Sequence, residues 1–446
     1  MKTLILVVVA ACSLNISCTS RLIWQANING SANGDDAAFA VGVDANGDVV
    51  AVGRTRNTGT GDDFTIIKFD AANGAALWRQ TINGTASQED WGRAIAVDAI
   101  GDVVAVGYTT NISADFTVVK FNGASGAELW RQAINGTANA SDFGTAVVVD
   151  TKGDVVAAGT VSNVGTGGDF AVVKFDGVAG TELWRQMING TVNGQDHASA
   201  VKVDAKGNVV AAGSTWNTPK LPITDFTVAK FDGISGTELW RKIIPGTSRG
   251  SSGASAVAVD GVGDVLATGY TVGPDLAVIK FEEVSGGELW RQAIKGTANG
   301  SDFATSVTVD INDDVVVGGF IENTGTGNDF TVIKFDGKTG RELWRQVING
   351  TANDDDRALA VSVDTFGDVV AAGYITNTGS GNDFTVVKFD GITGRELWRH
   401  VINGTVNGHD FAYAVTVDTA GDVLAAGVTR NTDTGADFTV IKLKGN

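Results

Sequence analysis

Cysteine is nearly missing from this chain of 446 residues: Cys12 and Cys18 are its only two, and both lie in the first twenty positions. The body beyond them therefore has no disulfide, no thiol nucleophile and no cysteine-based metal site. Histidine is as scarce, and His197, His400 and His409 stand too far apart in the pattern to build a nucleophile arrangement; they read as incidental surface residues. Proline is limited to Pro219, Pro222, Pro245 and Pro274. No apolar run approaches the roughly 20 residues that a membrane-spanning helix needs. Positive charge is short, with 33 basic against 51 acidic residues and a net charge of -18. Nucleic acid and anionic membrane surfaces are repelled on average, so cations or basic partners fit better.

What is present begins with a leader. "MKTLILVVVAACSLNISCTS" has Lys2, an apolar run from Leu4 to Ala11 and then small and polar residues, the layout of a secretory signal peptide over residues 1–20. Export to the periplasm, cell surface or medium is expected. Two fates of the leader stay open. "VAAC" ending at Cys12 resembles the bacterial lipoprotein cleavage box but leaves a short signal, and Cys18 sits at a commoner distance with Asn15 where that box wants an aliphatic residue. Lipidation at Cys18 or Cys12 is one alternative, and plain cleavage near Ser17 to Ser20 is the other.

The rest is repetition. Trp24, Trp78, Trp130, Trp184, Trp240, Trp290, Trp344 and Trp398 carry the same polar flank at spacings of 50 to 56 residues, which points to one array over residues 21–446. Each unit splits into four β-rich runs. In the seventh they are "RALAVSVD", with period-2 alternation; "GDVVAAGY", continuously apolar and built from small residues; "DFTVVKFD"; and "RELWRHVI". "DTFGD" joins the first two and "DGITG" the last two, with the Asp and Gly that tight turns use. Each unit is a four-stranded antiparallel meander too small to bury its own faces, and eight in series predict an all-β, eight-bladed β-propeller. The chain enters on a fourth-type strand, "RLIWQANIN", and ends on a third-type strand, "DFTVIKLK", so the N-terminal strand is expected to complete the last blade and close the ring.

"FDGKTGRELW" from Phe335 resembles the tryptophan-docking motif of PQQ-like quinoprotein propellers, and Asp410 to Thr429, "DFAYAVTVDTAGDVLAAGVT", resembles the bacterial SBBP β-propeller repeat. The first resemblance implies a tryptophan packed between blades. It also brings a cofactor reading, PQQ with calcium, which the resembled dehydrogenases hold with an adjacent cysteine pair, an acidic and asparagine calcium set, and large loops over the channel. This body has no cysteine, no loop much longer than a dozen residues and no blade-specific ligand cluster, so no cofactor is expected and the resemblance is one of scaffold.

Binding is expected on the face that carries the longer links. Two sets of aspartates recur there. Asp36, Asp90, Asp142, Asp196, Asp302, Asp356 and Asp410 precede the first strand, with Ser252 in the fifth unit, and Asp63, Asp115 and their equivalents precede the third. Their regularity favours capping of their own loops over a cation-attracting ring. "DANGD" at Asp44 and "DINDD" at Asp310 depart from the calcium-loop pattern and read as hairpin turns; no metal site is predicted. The links stop repeating in the fourth and fifth units, "STWNTPKLPITDF", "IIPGTSRGSSGAS" and "TVGPDL". Trp216, Lys220 and Arg249 there form the sequence's candidate ligand-binding set.

The function read from these features is an exported, non-catalytic binding or structural interaction propeller, monomeric, engaging a protein or glycan at the cell surface. The alternatives are a relic of a PQQ-type dehydrogenase and a carbohydrate-binding, lectin-like propeller.

Overall fold

The structure, a computed structural model, describes residues 22–217, 223–248, 250–273 and 275–445. It holds eight sheets, each with a four-stranded antiparallel path, arranged as the blades of a closed ring. Blade 1 runs Ala37–Val43, Val49–Asn57, Gly61–Phe69 and Ala76–Ile82, and blade 7 repeats it at Arg357–Val363, Val369–Asn377, Gly381–Phe389 and Glu396–Ile402. Blade 8 takes Phe411–Val417, Val423–Asn431 and Gly435–Leu443 from the end of the chain and its outer strand, Leu22–Ile28, from the beginning. Leu22 pairs with Leu443 and Ile28 with Phe438. The expected closure is the one observed. Blades 3 and 7 each add a two-residue strand, Gly194–Gln195 and Gly408–His409, parallel to their third strand.

First strands of neighbouring blades adjoin around the axis, and the core lies between blades. Trp344 of blade 6 sits with Val332 and Phe330 of its own sheet against Val369, Ala371 and Phe389 of blade 7, its ring centroid 6.1 Å from that of Phe389. The second strands are Val, Ala and Gly because both faces are covered and the facing blade comes close.

The short turns lie on one face of the disc. Asp336 shapes its turn by accepting from Thr339 N–H (2.8 Å) and Oγ1 (2.6 Å), and Gly340 closes it at φ +70°. Asp44 does the same in the inner hairpin, accepting from Asn46 and Asp48 N–H. Its other oxygen takes Lys68 Nζ at 2.7 Å, so a buried ammonium occupies the place where a calcium loop would hold its ion.

Candidate functional site

Three positions per blade escape the repeat: the residue after the capping aspartate, its partner on the second strand, and the residue two further on. All three line the axial channel at the loop face. The backbone explains why. Every inner hairpin slips register at the same point, between Ala38 and Ala40, Gly92 and Ala94, Ala412 and Ala414 and their equivalents. The skipped residues, Phe39, Arg93 and Tyr413 among them, form β-bulges, which re-aim a side chain at a strand edge.

The collar this builds is aromatic around much of its circumference. Phe39 lies 5.7 Å from Trp91 and 5.5 Å from Tyr413; Trp91 lies 5.9 Å from Tyr108, which meets Phe143 edge-on at 5.1 Å. In the other direction Tyr413 contacts Phe411 at 5.8 Å, and Phe411 contacts Tyr374 at 4.8 Å and His409 in a stack at 6.0 Å. A second group, Tyr270, Phe303 and Phe320, continues it on blades 5 and 6. Ring separations of this size are those of favourable aromatic pairs. On blades 4 and 5 the collar drops to His197, which bonds Ser214 Oγ at 3.2 Å, and Gly253.

Arginines face these rings. Arg54 lies 4.4 Å from the centre of Trp91, Arg93 4.4 Å from Trp91 and 5.3 Å from Phe39, and Arg357 4.3 Å from Phe320, inside the range of cation–π attraction. Arg54 pairs with Asp62, and Arg357 with Asp355 at 2.9 Å. Asp355 also accepts from Tyr374 Oη (2.7 Å) and Asn328 Nδ2 (2.6 Å). Burial opposes its ionisation, but those three donors outweigh it and hold its carboxyl below the usual range. No carboxylate forms an ion pair with Arg93 among the described residues. Arg93 is exposed at the channel mouth, and the desolvation imposed by the groups packed around it lowers its pKa; burial raises Tyr108 to about 12. Two adjoining cavities of about 760 and 560 Å³ meet at Phe39, Arg93 and Tyr413. The mouth of an acidic protein is thus lined by rings and guanidinium groups.

The aspartates named from the sequence are spent on the scaffold. Asp36 accepts Gly30 N–H at 2.8 Å and Arg56 N–H at 2.5 Å, Asp356 accepts Gly350 and Thr376 N–H, and Asp63 holds Asn57 Nδ2 and Thr60 Oγ1. Asp36, Asp90 and Asp356 are fully buried, and burial raises each to about 6 against the lowering effect of the two N–H donors. Among the described residues no three of His, Cys, Asp and Glu converge on a cation position. With these carboxylates bonded to backbone N–H groups or to side chains such as Arg54, Arg357 and Asn57, the donor set does not fit calcium-bound PQQ.

Trp216 is half-buried at the edge of this face. Its N–H donates to Asp196 (2.5 Å), its carbonyl accepts Val192 N–H (3.1 Å), and its indole covers Gly194. Lys220, Arg249, Cys12 and Cys18 lie outside the described residues. The collar was missed by sequence reasoning that looked for irregularity in the links; the signal was the unrepeated series Ala37, Trp91, Phe143, His197, Gly253, Phe303, Arg357 and Phe411 directly after the repeated aspartates.

The family described as outer membrane protein assembly factor BamB matches residues 62–270 and 224–436. No curated protein matches the chain in sequence. Among solved structures, Saccharomyces cerevisiae Sqt1 is 11% identical with a TM-score of 0.61, 96% of this chain and 100% of that one being covered. The quinohemoprotein alcohol dehydrogenase ADHIIG of Pseudomonas putida HK5 is 12% identical with a TM-score of 0.59, over 95% of this chain and 76% of that one. BamB from Moraxella catarrhalis is 12% identical with a TM-score of 0.48, over 96% and 100%. These structural likenesses concern the fold alone.

Proposed function

The chain belongs to the family of the outer membrane protein assembly factor BamB, and from that premise we propose that it is an exported, monomeric, non-catalytic propeller that binds a protein partner at its axial mouth. The observation that carries the reading is Arg93, free of any ion pair among the described residues and set between Phe39 and Trp91 over a concave cavity. A guanidinium beside rings suits a carboxylate next to an aromatic or aliphatic side chain. The partner is therefore an acidic segment with apolar side chains, opposite in sign to what the net charge of -18 suggests.

Fluorescence anisotropy with a labelled peptide of alternating Asp and Phe tests this. Saturable binding that weakens with salt and falls about tenfold in Arg93→Ala or Trp91→Ala is expected. Equal binding of a Lys/Phe peptide, or no effect of either substitution, refutes it. The family's propeller scaffold and the leader at residues 1–20 support export, with Cys18 or Cys12 as the lipidation site in the anchored form. The glycan reading keeps Trp216, Lys220 and Arg249, and a glycan array with wild type and Trp216→Ala decides it. Dye-linked oxidation after reconstitution with PQQ and calcium tests the dehydrogenase reading.

A further inference from the structure

The face opposite the mouth carries its own signal. Ten large apolar side chains among the described residues are more than 60% exposed, and eight of them sit at the tips of the short turns, whereas two, Ile112 and Val164, belong to the loop face. Ile100 (81%) and Phe366 (67%) top inner hairpins; Ile234 (79%) and Ile392 (90%) top outer ones. Scattered single exposures are ordinary on any protein surface, but a one-sided distribution is not. Where an outer tip is not apolar or alanine it is Lys338, whose long stem suits a boundary between apolar and polar phases. The rim agrees: the second residue of most outer strands is a half-exposed leucine such as Leu77, Leu129 or Leu289, set at the end of the strand nearest the turns.

A second observation concerns where the chain enters the disc. The described chain enters at Leu22, which pairs with Leu443 at the turn end of blade 8. The point where the leader, or a lipid on Cys18, connects to the described chain is therefore on the side of the tips. We propose that the turn face is a lipid-docking face, lying flat on a zwitterionic bilayer with the apolar tips in the headgroup region and the mouth turned away. The net charge of -18 excludes strongly anionic lipid as the preferred surface, and side chains this short reach the interface without crossing it. This proposal does not rest on what the mouth binds.

Hydrogen exchange of the full chain with and without phosphatidylcholine vesicles tests it. Vesicles are expected to slow exchange at residues 98–102, 232–236, 364–368 and 390–394 and to leave the loop-face links near Thr324 and Thr432 unchanged. The fourfold variant Ile100→Ser, Ile234→Ser, Phe366→Ser, Ile392→Ser keeps every core contact, is expected to lose that protection, and to float with vesicles about tenfold less. Flotation that survives in the variant with unprotected turns in the wild type would mean that the leader alone binds lipid, and would overturn the proposal. So would turns already protected without vesicles, since the leader, a second copy or a protein would then cover them.

Discussion

Lys442 Nζ and Trp24 Nε1, from opposite ends of the chain, donate to one carbonyl, that of Ala71, at 3.3 and 3.1 Å. The same pair recurs at every blade boundary: Lys68 and Trp78 on Gly123, Lys334 and Trp344 on Gly391, Lys388 and Trp398 on Gly445. A carbonyl has two lone pairs, and here both are used by the preceding blade. The ring is thus held by eight identical two-donor clasps as well as by apolar area, and the clasp on Ala71 is the one that closes it.

Replacing Trp344 by Phe keeps most of the wedge and removes the N–H. A loss of about 1 kcal/mol of stability is expected, against about 3–5 kcal/mol for Trp344→Ala, which also leaves a cavity. Urea unfolding of the two variants separates hydrogen bond from packing.

Lys388 and Asp364 form an ion pair at 2.8 Å with both side chains buried. Lys388→Met strands the carboxylate, and a loss of about 3–5 kcal/mol is expected. The double variant Lys388→Met, Asp364→Asn removes the uncompensated charge and recovers part of that loss, as read from the unfolding midpoint.

At Gly394 the chain has φ +70°, and a Cβ would stand 2.6 Å from the indole of Trp344. Gly394→Ala meets both the backbone penalty and the overlap, so it destabilises by about 1–3 kcal/mol. Alanine at Gly59, with φ +88° but open space around it, bears the backbone penalty alone. Comparing the thermal midpoints of the two isolates the Trp344 contact.

Asp36, Asp90 and Asp356 are raised from 3.8 to about 6 in the folded protein. The folded state then holds protons that the unfolded state has released, so the contribution of these groups to stability falls as pH rises from about 4 to about 6 and is flat above. Asp150 and Asp204 are shifted the other way: burial opposes their ionisation, but hydrogen bonds, from Lys174 and Lys230 first, prevail. Their contribution is lost as pH falls below about 4. Urea midpoints at pH 4.5 to 7 should therefore fall with pH less steeply in Asp90→Asn than in wild type, and an unchanged slope would refute the assignment.

The blades were legible because their determinants repeat. Eight tryptophans at one spacing mark interfaces, and a strand type left over at each end marks a closed ring. Asp36 and its equivalents were legible as caps for the same reason. Lys388 was not, since alternation along "DFTVVKFD" shows which residues share a face but not that both faces are buried, and the carboxylate that neutralises it comes from the turn at Asp364, 24 positions earlier. The collar was hidden differently. Phe39, Arg93 and Tyr413 converge only because a bulge in each inner strand aims them at the axis, and nothing in residue types marks a register slip between Ala38 and Ala40.

Ring closure by the N-terminal strand also sets how the molecule bears force. Leu22 and Leu443 face each other at the same end of an antiparallel ladder, so tension applied between the two ends of the chain loads that one pair first. The ladder then opens like a zipper, rung after rung towards Ile28 and Phe438, instead of sharing the load along its length. Pulled by its two ends, the disc therefore gives way first at the seam between Leu22–Ile28 and Phe438–Leu443.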